Sequence, residues 1–352
     1  MTWSNMRCIR KATLVALVCL GLPVVARAEE LPKPAFAQGC TSFKSGANTL
    51  KGVLVVPKTR GPHPAVVFVH GSGGLDRDHW TTHPALREHL ARHGIASLCW
   101  DKPGVGASTG DWTRQSFRDR AHEAIDAVKL LKARPDIDRK HVGLWGISQG
   151  GWICPLAASL SPDVAFIILV SAPAGTIEEQ DLYRVEHEMH ADNMPEEDMK
   201  KALAFVRRRL TLIRDGSYEK LAAAQREVSG ENWFKNYVHH LGPGDFAFGK
   251  KNIRYDGRPI LKQVQCPVLV IVGERDTIVS AKTSAAQIAD ILKRAGNKDV
   301  TVKLLANADH FMHVTKTGGP KEIHARGRKR EFVPGYFATI TDWLAARVRP
   351  TP

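Results

Sequence analysis

The run from Val142 to Ser159 constrains this chain more than any other stretch. Val142-Gly143-Leu144-Trp145 is short, apolar and bounded by glycine, the pattern of a buried strand. Residues 151–159, with Ala157, Ala158 and Ser159 at their end, read as an apolar helix. Between the two sits Gly146-Ile147-Ser148-Gln149-Gly150, a G-x-S-x-G pattern. A strand that turns sharply into a helix strains its central residue, and a Cβ two places before or after would collide across the turn. The serine hydroxyl then stands clear of the sheet, above a helix N-terminus. Ser148 is the candidate nucleophile.

A second glycine-rich turn lies upstream. Residues 40–56 alternate around Gly46-Ala47-Asn48, which predicts an antiparallel hairpin. Ala65-Val66-Val67-Phe68-Val69 is a β-branched run suited to a strand covered on both faces. It ends in His70-Gly71-Ser72-Gly73-Gly74, where the glycines let the backbone turn tightly with its N–H groups exposed. An oxyanion hole built from the backbone N–H groups of Ser72 and Gln149 is the expectation. A helix over residues 84–93 follows. His79, His83, His89 and His93 include i, i+4 pairs capable of holding a metal, but they read better as a solvated helix face. The strand Ile95 to Trp100 closes on Asp101-Lys102-Pro103-Gly104-Val105-Gly106-Ala107-Ser108, where Asp101 is expected to shape the floor of the site. Ala121, Ile125, Val128 and Leu131 place a helix over residues 117–133.

After a strand at Val164 to Val170 the alternation stops. Residues 175–260 contain helical, charge-rich sequence and no strong strand, the expectation for a helical lid inserted over the site. Within it Trp233, Phe234 and Tyr237 either touch substrate or pack inside the lid. His187-Glu188-Met189-His190 is one residue short of the H-E-x-x-H zinc spacing. Strand and helix then resume: a strand at Pro267 to Val272 leading into Gly273-Glu274-Arg275-Asp276, a helix over 281–295, and a strand at Val300 to Leu305. Ala306-Asn307-Ala308-Asp309-His310-Phe311 follows, and a helix over 335–347 closes the chain. The basic loop over 316–330 reads as solvated and mobile.

An alkyl hydroxyl is a poor nucleophile at neutral pH and needs a general base, which in turn needs a carboxylate to hold its tautomer. Ser148, Asp276 and His310 each follow a different strand and give the chain order Ser…Asp…His. His313 is a rival base; Glu274 and Glu178 are rival acids.

Taken together, His70 to Asp78, Asp101 to Ser108, Gly146 to Gly151, Gly273 to Asp276 and Ala308-Asp309-His310 resemble the motifs of the α/β-hydrolase superfamily, of the type that includes bacterial serine esterases and serine aminopeptidase-like or dienelactone-hydrolase-like proteins. The resemblance runs from about Asn48 to the C-terminus. It implies an α/β fold: a mostly parallel eight-stranded sheet flanked by helices, with a helical cap. The core is expected over 29–174 and 261–352 and the cap over 175–260. It also implies nucleophile Ser148, acid Asp276 and base His310; no cofactor and no metal are expected. A serine nucleophile argues against haloalkane dehalogenation, which needs a carboxylate. The reading is a serine hydrolase of small-molecule carboxylic esters. Alternatives are a serine peptidase and a non-catalytic binding protein on the same scaffold, since one fold hosts many chemistries.

Composition narrows the setting. The formal charge is +14, and Arg7, Arg10, Lys11 and Arg27 carry four of those charges, leaving about +10 without the first 28 residues. The remainder is dispersed, with no basic stripe interleaved with aromatics, so nucleic acid is not an expected partner. Residues 1–28 read as a secretory signal: a basic start, an apolar stretch from Ala12 to Val25, and Ala26-Arg27-Ala28 before Glu29. That apolar stretch is too short to span a bilayer, so no stable membrane anchor is expected. Cys40, Cys99, Cys154 and Cys266 then remain, either paired in an oxidising compartment or buried as small apolar residues. Export to the periplasm or beyond predicts a mature chain beginning at Glu29. Intact mass of the exported protein checks this; a mass that includes Met1, or an acylated Cys19 or Cys40, contradicts it.

Overall fold

The computed structural model describes residues 35–78, 82–327 and 329–348; the expected signal segment 1–28 lies outside them. Eight strands form one sheet: β1 (Phe36–Ser45), β2 (Asn48–Pro57), β3 (His63–Val69), β4 (Ala96–Trp100), β5 (Ile137–Ile147), β6 (Ile167–Val170), β7 (Val268–Gly273) and β8 (Val300–Leu305). Their spatial order is β1-β2-β4-β3-β5-β6-β7-β8. The β1–β2 and β2–β4 pairs are antiparallel and all others are parallel. The hairpin starts earlier than the alternation suggests, pairing Phe36 with Pro57, because edge strands carry a weaker apolar signal than central ones.

The central strands are apolar on both faces because both faces are covered. Every residue of β4, β6 and β7 is buried. On one face α2 (Phe117–Lys132), α3 (Gly150–Leu160) and α9 (Ala281–Arg294) enclose a core that includes Val67, Leu98, Leu144, Leu169 and Val270. On the other, α1 (Thr82–Arg92) and α11 (Tyr336–Ala345) cover Phe68, Trp145, Ile168 and Ile271. The α2 helix starts with a capping box, in which Ser116 and Asp119 each accept from the other's backbone N–H. Gly143 in β5 lies flat against the Phe166 ring, and any Cβ there would overlap it.

Between β6 and β7 the chain is helical: α4 (Ile177–Ala191), α5 (Glu196–Asp215), α6 (Tyr218–Glu227), a π-turn at Phe234–Val238, α7 (Pro243–Asn252) and α8 (Arg258–Leu261). A second capping box, Thr176 with Glu179, opens α4. This cap has its own apolar core, with Val185, Met189, Phe205, Val206, Leu221, Trp233, Phe234 and Tyr237 buried together. Trp233, Phe234 and Tyr237 therefore pack inside the cap and do not face the site. The Tyr237 hydroxyl donates to Asp192 Oδ2 at 2.9 Å.

Two further expectations need correction. The 316–330 segment contains a helix, α10 (Pro320–Arg326), and is tied down. Glu322 accepts from the backbone N–H groups of Lys316 and Thr317, and Arg326 Nη2 reaches buried Asp309 Oδ2 at 2.6 Å. His83 is buried rather than solvated; of its expected companions, His93 is exposed, His89 is half-buried, and His79 lies outside the described residues. Among the described residues no helix is long and apolar enough to cross a membrane.

Candidate active site

Ser148 sits at the turn from β5 into α3 with φ of 55°, the left-handed region that side chains other than glycine avoid. The turn is tight enough to demand both flanking glycines. A Cβ on Gly146 would lie 2.6 Å from the Gly150 carbonyl oxygen and 2.5 Å from Cys154 Sγ; one on Gly150 would lie 2.5 Å from the Val69 carbonyl oxygen. The strained residue is held from below, its N–H donating to the Val170 carbonyl at 3.0 Å and its carbonyl accepting from Gly151 N–H at 2.7 Å.

His310 follows β8 and Asp276 follows β7. The Asp276 oxygens lie 2.9 and 3.1 Å from His310 Nδ1, and both side chains are buried. Asp276 Oδ1 also accepts from the Ile278 and Val279 N–H groups, each at 2.9 Å, which fixes the carboxylate. Burial disfavours the imidazolium, but the charge and hydrogen bond of Asp276, with Asp309 and Glu188 behind it, outweigh that and raise the His310 pKa. The Ser171 hydroxyl donates to the His310 carbonyl at 2.9 Å, bracing the loop from the end of β6. Ser171 is itself left-handed, with φ of 47°.

The rivals sit elsewhere. His313 is buried against Phe332 with Asp309 at 3.8 Å, and burial pulls its pKa down to about 4. Glu274 accepts from Asn307 N–H, and Glu178 pairs with Arg214 on the cap.

Ser148 and His310 line one cavity of about 370 Å³ together with Gly71, Ser72, Ile278 and Phe311, and with Gln180, Asp181 and Arg184 from the cap. Ser72 and Gln149 line one cavity together, and among the described residues neither backbone N–H is taken up by a backbone carbonyl. The Gly71 position packs on Ser148: a Cβ there would meet the serine Cβ at 3.4 Å. Cap helix α4 closes over the acid loop, where the Tyr183 hydroxyl donates to the Asp276 carbonyl at 3.3 Å.

Beside Ser72 and Gln149 opens a second chamber of about 470 Å³, walled by Trp152, Ile177, Leu210, Ile213, Phe248 and Ile253. Arg184 and Arg209 also line it, matched by two carboxylates. Arg184 pairs with Asp181 at 2.9 Å and Glu188 at 2.7 Å, and Arg209 pairs with Asp181 at 2.5 Å. Burial raises the Asp181 pKa, but Arg209 and Arg184 overcome it and bring it down to about 2. A cleft of about 750 Å³ between the β1–β2 turn and α2 is larger, but none of Ser148, Asp276 or His310 lines it.

Two buried cations against the glycine loop are not evident from the sequence. Lys102, fully buried, donates to the carbonyls of Gly71 and Gly73 at 2.6 Å each. Arg120, also buried, donates to the His70 carbonyl at 2.8 Å and to the Gln149 side-chain oxygen. Arg120 and Glu123 share the buried side of α2 with Ala124, Ala127 and Leu131, and a charge within a mostly apolar helix face is the one signal that could have found them. Asp101 is structural, as expected: Oδ1 accepts from the Arg77 backbone N–H and Nε, each at 2.9 Å.

Cys99, Cys154 and Cys266 are free thiols, so none of the three possible pairings of the four cysteines forms. Cys99 Sγ lies 3.5 Å from His70 Nε2 and 3.3 Å from His83 Nδ1, ligand-type atoms for a soft metal. The same two nitrogens lie 3.1 and 3.3 Å from the carbonyl oxygens of Asp76 and Arg77, hydrogen bonds that account for the cluster without an ion.

Comparison with known proteins shows the family and the fold. The alpha/beta hydrolase family model matches residues 66–318. Esterase EstD of Thermotoga maritima is 26% identical over 271 residues, 75% of this chain and 58% of its own, so the chain spans less than two thirds of that relative. The human serine hydrolase BPHL is 25% identical over 252 residues, 70% of this chain and 75% of its own. Among solved structures, an esterase from Pyrococcus furiosus superposes with a TM-score of 0.57 at 15% identity, over 88% of this chain and 91% of its own, a likeness of fold alone. With the family matched from β3 through the whole cap to beyond β8, well over half of its length, the chain belongs to the alpha/beta hydrolase family.

Proposed function

We propose that the protein is an exported serine hydrolase that cleaves carboxylic esters through an acyl-enzyme. The observation that carries this reading is a left-handed Ser148 sharing one cavity with a histidine that a buried aspartate orients. His310 Nε2 takes the Ser148 proton as Oγ attacks the ester carbonyl. The Ser72 and Gln149 N–H groups receive the negative charge that forms on the carbonyl oxygen. His310 then passes the proton to the leaving alkoxide, the alcohol departs, and the acyl group remains on Ser148. Water activated by the same histidine hydrolyses it. Relatives named as esterases support ester over peptide bonds, and the apolar chamber beside Ser72 and Gln149 suits an apolar acyl or alcohol group. Export rests on the sequence of residues 1–28 alone.

The raised His310 pKa sets the pH dependence. The base must be neutral to accept a proton, so activity falls toward acid through an apparent pKa above the ordinary imidazole value of 6.5. The sign for stability is opposite. The His310–Asp276 contribution is fully present below the unfolded pKa and is lost as pH rises through the folded one. An acid limb at or below 6.5 in kcat/KM contradicts this assignment.

His310→Ala is expected to abolish nearly all turnover, whereas His313→Ala leaves most of it where the fold survives. The reverse pattern of rates would make His313 the base.

Ser148→Ala tests the reading as a whole. A fluorophosphonate probe should add its mass to Ser148 of the wild type and to no other serine, and the variant should stay unlabelled while folding normally. Turnover of p-nitrophenyl esters should fall by about 10⁴-fold or more. Hydrolysis of aminoacyl anilides in preference to esters would replace the esterase reading by a peptidase. Tight ligand binding without labelling or turnover would replace it by a receptor.

A further inference from the structure

The peptide between Gly71 and Ser72 is held from its far side. In a trans peptide the C=O and N–H point in opposite directions, so whatever fixes the Gly71 carbonyl also aims the Ser72 N–H. Lys102 Nζ donates to that carbonyl and to the Gly73 carbonyl, 2.6 Å from each, while Arg120 takes the His70 carbonyl at 2.8 Å. Three carbonyls of the four residues 70–73 are thus turned toward two buried cations. Gly73, with φ of 83°, supplies the left-handed turn that brings its carbonyl to the same ammonium.

We propose that Lys102 is the positioning residue of the oxyanion hole: its ammonium turns the Gly71–Ser72 peptide so that the Ser72 N–H faces the cavity at Ser148, and its charge strengthens that donor. The inference rests on the serine-hydrolase reading above. Two carbonyls alone do not require a cation, because neutral donors satisfy them without the cost of desolvating a charge. A buried charge at the carbonyl end of the peptide polarises it, making the N–H more positive where negative charge develops in the transition state. The groups facing Lys102 are the Arg120 guanidinium and the Glu123 carboxyl of α2, with the Trp112 ring 5.8 Å from Nζ. Burial, with Arg120 adding and Glu123 opposing, depresses the Lys102 pKa well below 10.5, so its charge can be titrated away while Nζ still donates two hydrogens.

Lys102→Met separates positioning from packing. Its kcat should fall by roughly 10- to 100-fold with KM within about twofold of the wild type. Affinity for a boronic acid that forms a tetrahedral adduct on Ser148 should fall by a similar factor. In a Ser148→Ala background, adding Lys102→Met should leave the dissociation constant for the intact ester unchanged. Wild-type kcat in Lys102→Met, or a loss of ester binding as large as the loss of turnover, overturns the proposal. If Lys102→Met does not fold, the wild type supplies the test. As pH rises through the folded Lys102 pKa, the native state sheds a costly charge and thermal stability rises, while kcat falls. A kcat that stays constant while stability rises overturns the proposal equally. Fluorophosphonate labelling tells the two failures apart: a wild type that does not label refutes the serine-hydrolase reading, whereas a labelled enzyme indifferent to Lys102 refutes this inference alone.

Discussion

A serine forced into left-handed backbone is the constraint on which the rest of the site depends. Holding Ser148 at φ of 55° costs on the order of 1–3 kcal/mol, and the surroundings must over-determine it. They do so by proximity. Gly146 and Gly150 approach backbone so closely that no side chain fits, and the Val170 carbonyl on the neighbouring strand accepts the serine N–H. The strand leading into the turn, β5, is paired on both sides, with β3 and with β6, which holds its end in place. Strand order matters for the same reason: β3, β5 and β6 are adjacent, which sets the His70–Gly74 loop on one side of Ser148 and Ser171 on the other.

Around that turn the protein keeps charges where it also excludes water. Lys102, Arg120 and Glu123 lie in the core beneath the glycine loop, and burial moves each toward its neutral form; Arg120 falls to about 10 and Glu123 rises to about 7. Above it Asp181, Glu188, Arg184 and Arg209 form a matched set inside the cap, two charges of each sign. The contrast has a physical basis. Paired cap charges compensate one another and join α4 to α5, whereas the core cations are directed at backbone carbonyls of the loop that precedes the site. A buried ion whose partner is removed is strongly destabilising, about 3–5 kcal/mol, so both sets tie local geometry to global stability.

Much of this was legible before any coordinates. The central strands show as unbroken apolar runs because both faces are buried, and the helical insertion shows as the place where strand and helix cease to alternate. Ser148, Asp276 and His310 each stand just after a strand, and the sheet brings Ser148 and His310 to one cavity with Asp276 behind the histidine. What stayed hidden has specific causes. Lys102 stood inside a recognised motif, but nothing in a linear string tells that its ammonium folds back onto residues 71 and 73. The buried side of α2 is wider than the stripe of Ala121, Ile125, Val128 and Leu131, and Arg120 and Glu123 lie in that wider face. Trp233, Phe234 and Tyr237 were ambiguous because an aromatic cluster in a cap serves a private core as readily as a ligand. The 316–330 loop is held in part by partners far off in the sequence, Asp192 for Lys321 and Thr277 for Gly318, which no local pattern reveals.

The central claim is that the two backbone donors and the serine act on one tetrahedral oxygen. The most direct measurement is a crystal structure of the protein after reaction with an alkyl phosphonate ester. The account predicts phosphorus bonded to Ser148 Oγ, its negatively charged oxygen about 2.7–3.1 Å from both the Ser72 and Gln149 nitrogens, and His310 Nε2 beside Oγ. Phosphorus on another side chain, or an adduct whose oxygen points away from both amides, contradicts it.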